Sequence, residues 1–127
     1  MTFSNQLNNI KALYAKYIKD GCVFKTCGNT IVIMRKLPDT KDNEARQVVD
    51  HNCAKFRADK LEVVLIFDIF NPTVTYDVAQ NSAYTEKIIE YKVGKVVSVD
   101  DYEDNIEKVC APGIHYFNTI DLSLIHI

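Results

Sequence analysis

The stretch LEVVLIFDIF, residues 61–70, constrains this chain more than any other. It is β-branched and aromatic, the composition of a strand. Side chains alternate across a strand, so Leu61, Val63, Leu65, Phe67 and Ile69 are expected on one face and Val64, Ile66 and Phe70 on the other. A strand apolar on both faces needs cover on both. The stretch therefore reads as the central strand of a sheet with a helix packed on one side. Asn71, Pro72 and Thr73 turn the chain, and residues 74–78 alternate well enough to return beside it as an antiparallel partner.

The covering helix is found at the N-terminal end. Leu7, Ile10, Leu13, Tyr14, Tyr17 and Ile18 recur at spacings of three and four, with Ser4 as a candidate N-cap. The spacing predicts a helix over residues 5–19, ended by Asp20 and Gly21. Residues 22–26 and 30–37 are two β-rich runs split by Cys27, Gly28 and Asn29, a hairpin pattern stopped by Pro38. Residues 39–50 are polar and read as a surface connection holding one short helix capped by Asp42 or Asn43. Residues 88–94 and 95–99 form a further β-rich pair bent at Gly94. An acidic run, 100–104, then leads to CAPGIHYF, residues 110–117. There Pro112 and Gly113 make a sharp turn into a last strand. Alternation sets His115 on the face opposite Ile114 and Tyr116. Gly113 is expected at positive φ.

At 127 residues the chain has the size of one domain, able to close a core without staples. Fifteen basic against 17 acidic residues leave a net charge of −2 with no basic run, which argues against general attraction to nucleic acid. Neither a secretory leader nor an apolar run long enough to span a bilayer is legible. The four cysteines are then expected to be reduced, and the protein cytoplasmic. The fold class expected is α+β, mainly antiparallel sheet with one N-terminal helix packed on it.

Three stretches, in order, resemble an uncharacterised domain of phage and large DNA virus proteins that often lies beside pentapeptide repeats. They are IVIMRKLP at 31–38, CAKFRADKLEVVLI at 53–66, and YKVG at 91–94 followed by CAPGIHYF at 110–117. The family reads Lys-Cys-Arg-Ala where this chain has Phe56 in place of the cysteine, and Cys-x-x-Gly-Ile-His-Phe-Phe at the last stretch. Past Phe117 the family continues into an acidic helix rich in Glu and Ala. Residues 118–127 do not resemble it, so the domain is expected over 1–117 with a truncated or foreign tail. The resemblance implies a domain type and no activity.

Several constellations could carry chemistry. Cys110 and His115 have the residue types of a nucleophile and its base, since a thiolate forms beside an imidazole. A buried thiol near a hydrogen-bonded histidine is the structural counterpart. Cys22, Cys27, His51, Cys53, Cys110 and His115 are zinc-ligand types, but their spacings fit no standard zinc motif, and no metal or cofactor is expected. Arg57 could fork onto a phosphate or carboxylate, or pair with the acidic run 100–104. GIHYF at 113–117 also resembles a strand of poly-ADP-ribose polymerase-type transferases, although the His-Gly element and catalytic Glu of those enzymes are missing. Arg57, His115 and Tyr116 stand as binding candidates. The function expected is a non-catalytic accessory or interaction domain of viral or phage type with a protein partner. The alternative is a small enzyme acting on a nucleotide through His115 with Cys110 or Arg57.

Overall fold

The computed structural model describes residues 3–45, 55–80, 89–99, 102, 104–106 and 113–120. The N-terminal amphipathic stretch forms two helices instead of one, α1 (Phe3–Leu13) and α2 (Ala15–Lys19). The break falls at Tyr14, whose backbone leaves helical angles at φ −113°, ψ 23°. Its ring stacks on Phe67 with centroids 4.3 Å apart, and its hydroxyl donates to the Pro72 carbonyl. Asp20 and Gly21 end the element as expected, Gly21 at φ 77°.

Among the described residues eight strands follow: β1 (Val23–Cys27), β2 (Thr30–Arg35), β3 (Lys55–Ala58), β4 (Lys60–Asp68), β5 (Val78–Gln80), β6 (Glu90–Lys92), β7 (Val96–Ser98) and β8 (Ile114–Phe117). Six form one sheet in the order β3-β8-β1-β2-β4-β7, antiparallel at every pairing, while β5 and β6 form a second, two-stranded sheet. Asp59 alone joins β3 to β4, yet β8, β1 and β2 lie between them in the sheet. The sheet must therefore curl back on itself, and it does so as a half-barrel. The corner is fixed by Asp59 N–H donating to the Lys41 carbonyl and Val99 N–H to the Asp59 carbonyl, both at 2.9 Å. Among the described residues the helical part is small, so the fold is more β-rich than the sequence suggested.

Two apolar clusters hold the layers. The inner one gathers Val23, Val32, Met34, Phe56, Leu61, Val63, Tyr91, Val97 and Tyr116, from both ends of the strand order, as only the inside of a curl can. The outer one packs Ile10 and Tyr14 on Phe24, Ile31, Ile33, Phe67 and Ile69. Ile120 joins it at 2% exposure, so packing continues beyond Phe117.

The expected alternation of residues 61–69 fails at one place. Ile33 pairs with Leu65 but Met34 pairs with Val63, which leaves Val64 as the extra residue of a β-bulge. One inserted residue exchanges the faces. Leu61 and Val63 consequently lie in the inner cluster while Phe67 and Ile69 lie in the outer one. Nor is β4 central: it sits fifth of six. Residues 74–78 return beside it through a single bridge, Phe67 to Thr75, before β5 departs to pair with β6. The β-rich run turns at Gly94 (φ 83°) as expected, and its two halves pair elsewhere, β6 with β5 and β7 with β4. The predicted hairpin of β1 and β2 is present, with Cys27 opposite Thr30.

Candidate functional site

Strand β8 carries the motif that the sequence singles out, and its alternation is as expected. Ile114 and Tyr116 are buried; His115 and Phe117 are half-buried on the outer face. Gly113, entering the strand, has φ 154°. The β3–β8 register puts Arg57 directly opposite His115 and Phe56 opposite Tyr116. Arg57 and His115 are thus neighbours on one face, and Tyr116 lies on the other. The three binding candidates do not converge.

Arg57 is fully buried. Its guanidinium donates to the Asn105 carbonyl at 2.6 Å and lies over the Tyr102 ring, 4.9 Å from the centroid. Its main chain exchanges bonds with Asn43: Arg57 N–H donates to Asn43 Oδ1 at 2.9 Å, and Asn43 N–H to the Arg57 carbonyl at 3.2 Å. Asn43 is itself fully buried. Among the described residues of the acidic run, it is the Tyr102 ring that meets Arg57. The arrangement locks residues 43, 57, 102 and 105 together and leaves the guanidinium behind protein, away from solvent. The Lys25 ammonium donates to the His115 carbonyl at 3.2 Å, tying β1 to β8.

On the inner side, the Tyr116 hydroxyl donates to Glu44 Oε2 at 2.6 Å and Asn118 Nδ2 to Glu44 Oε1 at 3.0 Å. The Lys36 ammonium also binds Glu44 and lies 3.4 Å from Asp42. Burial pushes the Glu44 carboxyl up, but these three donors outweigh it and hold the group below its ordinary value. Burial, then the bond to Glu44, pushes the Tyr116 phenol up. The segment expected to be a surface connection therefore delivers Asn43 and Glu44 into the structure, in turns and a bridge from Asp42 to Ala58 instead of a helix up to residue 45.

Cys110, Pro112, His51 and Cys53 lie outside the described residues, as do residues 46–50 of the expected helix. Cys22 and Cys27 are free thiols, buried in the outer and inner cluster respectively, on opposite faces of the sheet. Burial raises both, Cys27 to about 11, which keeps them protonated. Among the described residues no three His, Cys, Asp or Glu side chains are grouped for a metal ion, and no helix is long and apolar enough to cross a membrane.

A surface that the sequence did not single out lies beyond β4. Phe70 (66% exposed), Val74, Tyr76 and Val78 present apolar side chains to solvent within nine positions. The ledge is held stiffly. The Asp68 carboxylate accepts from Phe70 N–H (2.8 Å), Asn71 N–H (3.0 Å) and the Tyr76 hydroxyl (2.8 Å), and is thereby held below its ordinary value, the Tyr76 bond contributing most. Val74 N–H donates to the Asn71 carbonyl, and Tyr76 N–H to that of Ile66. The periodicity of residues 74–78 reads equally as a strand, which is why alternation alone could not find the ledge.

These features define a curled antiparallel β-domain with a thin helical outer layer and a rigid apolar ledge. The chain belongs to DUF5758, a family of unknown function, whose match covers residues 11–122. No curated protein and no solved structure matches it.

Proposed function

We propose that the chain is a non-catalytic interaction domain of the kind found in phage and large DNA virus proteins, acting inside the cell by binding a protein partner. The viral attribution rests on the three resembling stretches at 31–38, 53–66 and 91–117. The observation that carries the interaction reading is the ledge of Phe70, Val74, Tyr76 and Val78. Four large apolar side chains kept in water on a hydrogen-bonded loop mark a surface made to be covered. A stiff loop also loses little conformational entropy when it is covered. The polar groups offered for chemistry support the same reading, because the Arg57 guanidinium and the Tyr116 hydroxyl are directed to partners inside the protein.

The test pairs in-cell cross-linking with two sets of variants. Phe70→Ser with Val74→Ser should lose the cross-linked partner while keeping the melting curve, and His115→Ala should keep both. Turnover of a nucleotide by the wild-type chain that disappears in His115→Ala would instead establish the enzymatic alternative.

A further inference from the structure

We infer that the partner of this surface is a second copy of the chain, added antiparallel along the free edge of β5 about a two-fold axis at Ala79; this rests on the interaction reading above and makes it specific. The ladder itself fixes which backbone groups are free. Val93 N–H donates to the Asp77 carbonyl, so Asp77 and Val93 are a hydrogen-bonded pair of the antiparallel register that sets Val78 opposite Lys92, Ala79 opposite Tyr91 and Gln80 opposite Glu90. Bonded and non-bonded pairs alternate along such a ladder. Ala79 is therefore bonded to Tyr91, and the N–H and C=O groups of Val78 and Gln80 point away from β6. Among the described residues, strand β6 is the sole neighbour of β5.

The outward groups are self-complementary in one register. A two-fold axis at Ala79 sets Val78 of one copy against Gln80 of the other, twice, and each of these pairs needs the groups that are free. Four hydrogen bonds form and every outward group on β5 is matched. An axis at Val78 is poorer, because Gln80 would then face Tyr76, whose N–H already donates to the Ile66 carbonyl and cannot serve the pair. Apart from its shortness, the edge lacks the usual defences of an exposed strand: β5 has no charge and no proline, and exposed Val78 continues the apolar ledge into it. By contrast, β3, an edge of the larger sheet, carries Lys55 and Arg57 and is covered by the bridge from Asp42 to Ala58.

Sedimentation velocity over a dilution series of the intact chain, with amide hydrogen exchange on the same samples, tests this. The sedimentation coefficient should rise from monomer toward dimer with concentration. Exchange at the Val78 and Gln80 amides should slow in parallel, while that at Ala79, already bonded to Tyr91, should not change. Val78→Pro removes an outward N–H that the β5–β6 ladder does not use, and edge positions of this kind tolerate proline. It should melt like wild type and stay monomeric. A chain that remains monomeric throughout, or a dimer that survives Val78→Pro with the Gln80 amide still exchanging fast, overturns the inference. If the chain is monomeric yet the Phe70 and Val74 variants still lose a cross-linked protein, self-pairing alone is wrong and the interaction reading stands.

Discussion

The hydroxyl of Tyr116 donates to the carboxylate of Glu44 at 2.6 Å across 72 positions of sequence. With Asn118 and Lys36 on the same carboxylate, this bond fastens the turn after β2 to the end of β8. Since Glu44 is half-buried, its ionised form is stabilised by donors that no unfolded chain provides.

Acid should therefore weaken the fold through Glu44. Its folded value lies below the ordinary 4.5, so the contribution is complete above that pH and is lost as the pH falls through the depressed folded value. Denaturation midpoints measured from neutral pH downward should be level at first and then decline. Glu44→Gln keeps the shape, loses the charge-assisted bonds at a cost of about 1–3 kcal/mol at neutral pH, and should flatten the acid limb. An acid limb of unchanged slope in Glu44→Gln would assign the decline to other carboxylates.

Truncations along β4 should scale with burial against the outer cluster, which Phe67 and Leu65 share. Phe67 is fully buried and stacked on Tyr14, so Phe67→Ala should cost about 3–5 kcal/mol. Leu65 is only partly buried beside the same cluster, and Leu65→Ala should cost clearly less. Equal losses in chemical denaturation would mean that the two side chains are equally buried in solution, against the difference in exposure observed.

Gly113 should tolerate no side chain. Its φ of 154° is one that L residues rarely adopt, and an added Cβ would stand 3.1 Å from Arg57 Cβ and 3.3 Å from Tyr102 Cδ1. Gly113→Val should destabilise by roughly 1–3 kcal/mol through backbone strain, with Gly113→Ala already showing most of the loss. A melting temperature unchanged in both variants would refute this account of the turn.

Much of the fold was legible because local chemistry and final packing agree. Gly28 at φ 59° makes the turn of the first hairpin, and strict alternation places Ile114, His115 and Tyr116 on their proper faces. Arg57 and His115 were both named from sequence, but their juxtaposition depends on β3–β8 pairing, which no local pattern encodes. The bulge at Val64 was hidden for a different reason: residues 63–67 are apolar without a break, so either register of faces satisfies the pattern. Asn43 and Glu44 were missed because polar residues between turn formers read as surface. Their burial is compensated in part by Arg57 and Tyr116, which arrive from distant strands. Tyr102 was masked by the acidic residues around it, though an aromatic within a charge run is a usable sign of a packed side chain.

The last prediction concerns Tyr91, the residue that β6 contributes to the inner cluster. It is fully buried, and its hydroxyl has no hydrogen-bond partner among the described residues. Burial pushes its phenol well up, as expected for a group whose ionised form has lost water, and Cys27 nearby adds to the effect. A buried hydroxyl without a partner carries a desolvation cost of about 1–3 kcal/mol that a phenyl ring of the same shape avoids. Tyr91→Phe should therefore leave the fold as stable or make it more stable, by up to about 1 kcal/mol, although it lies at the centre of the core. Tyr116→Phe offers the contrast at similar burial: there the hydroxyl is bonded to Glu44, and its removal should cost about 1 kcal/mol. Urea denaturation of the two variants side by side reads the difference directly. A clear loss of stability in Tyr91→Phe would mean that the hydroxyl has a partner in solution, such as a buried water.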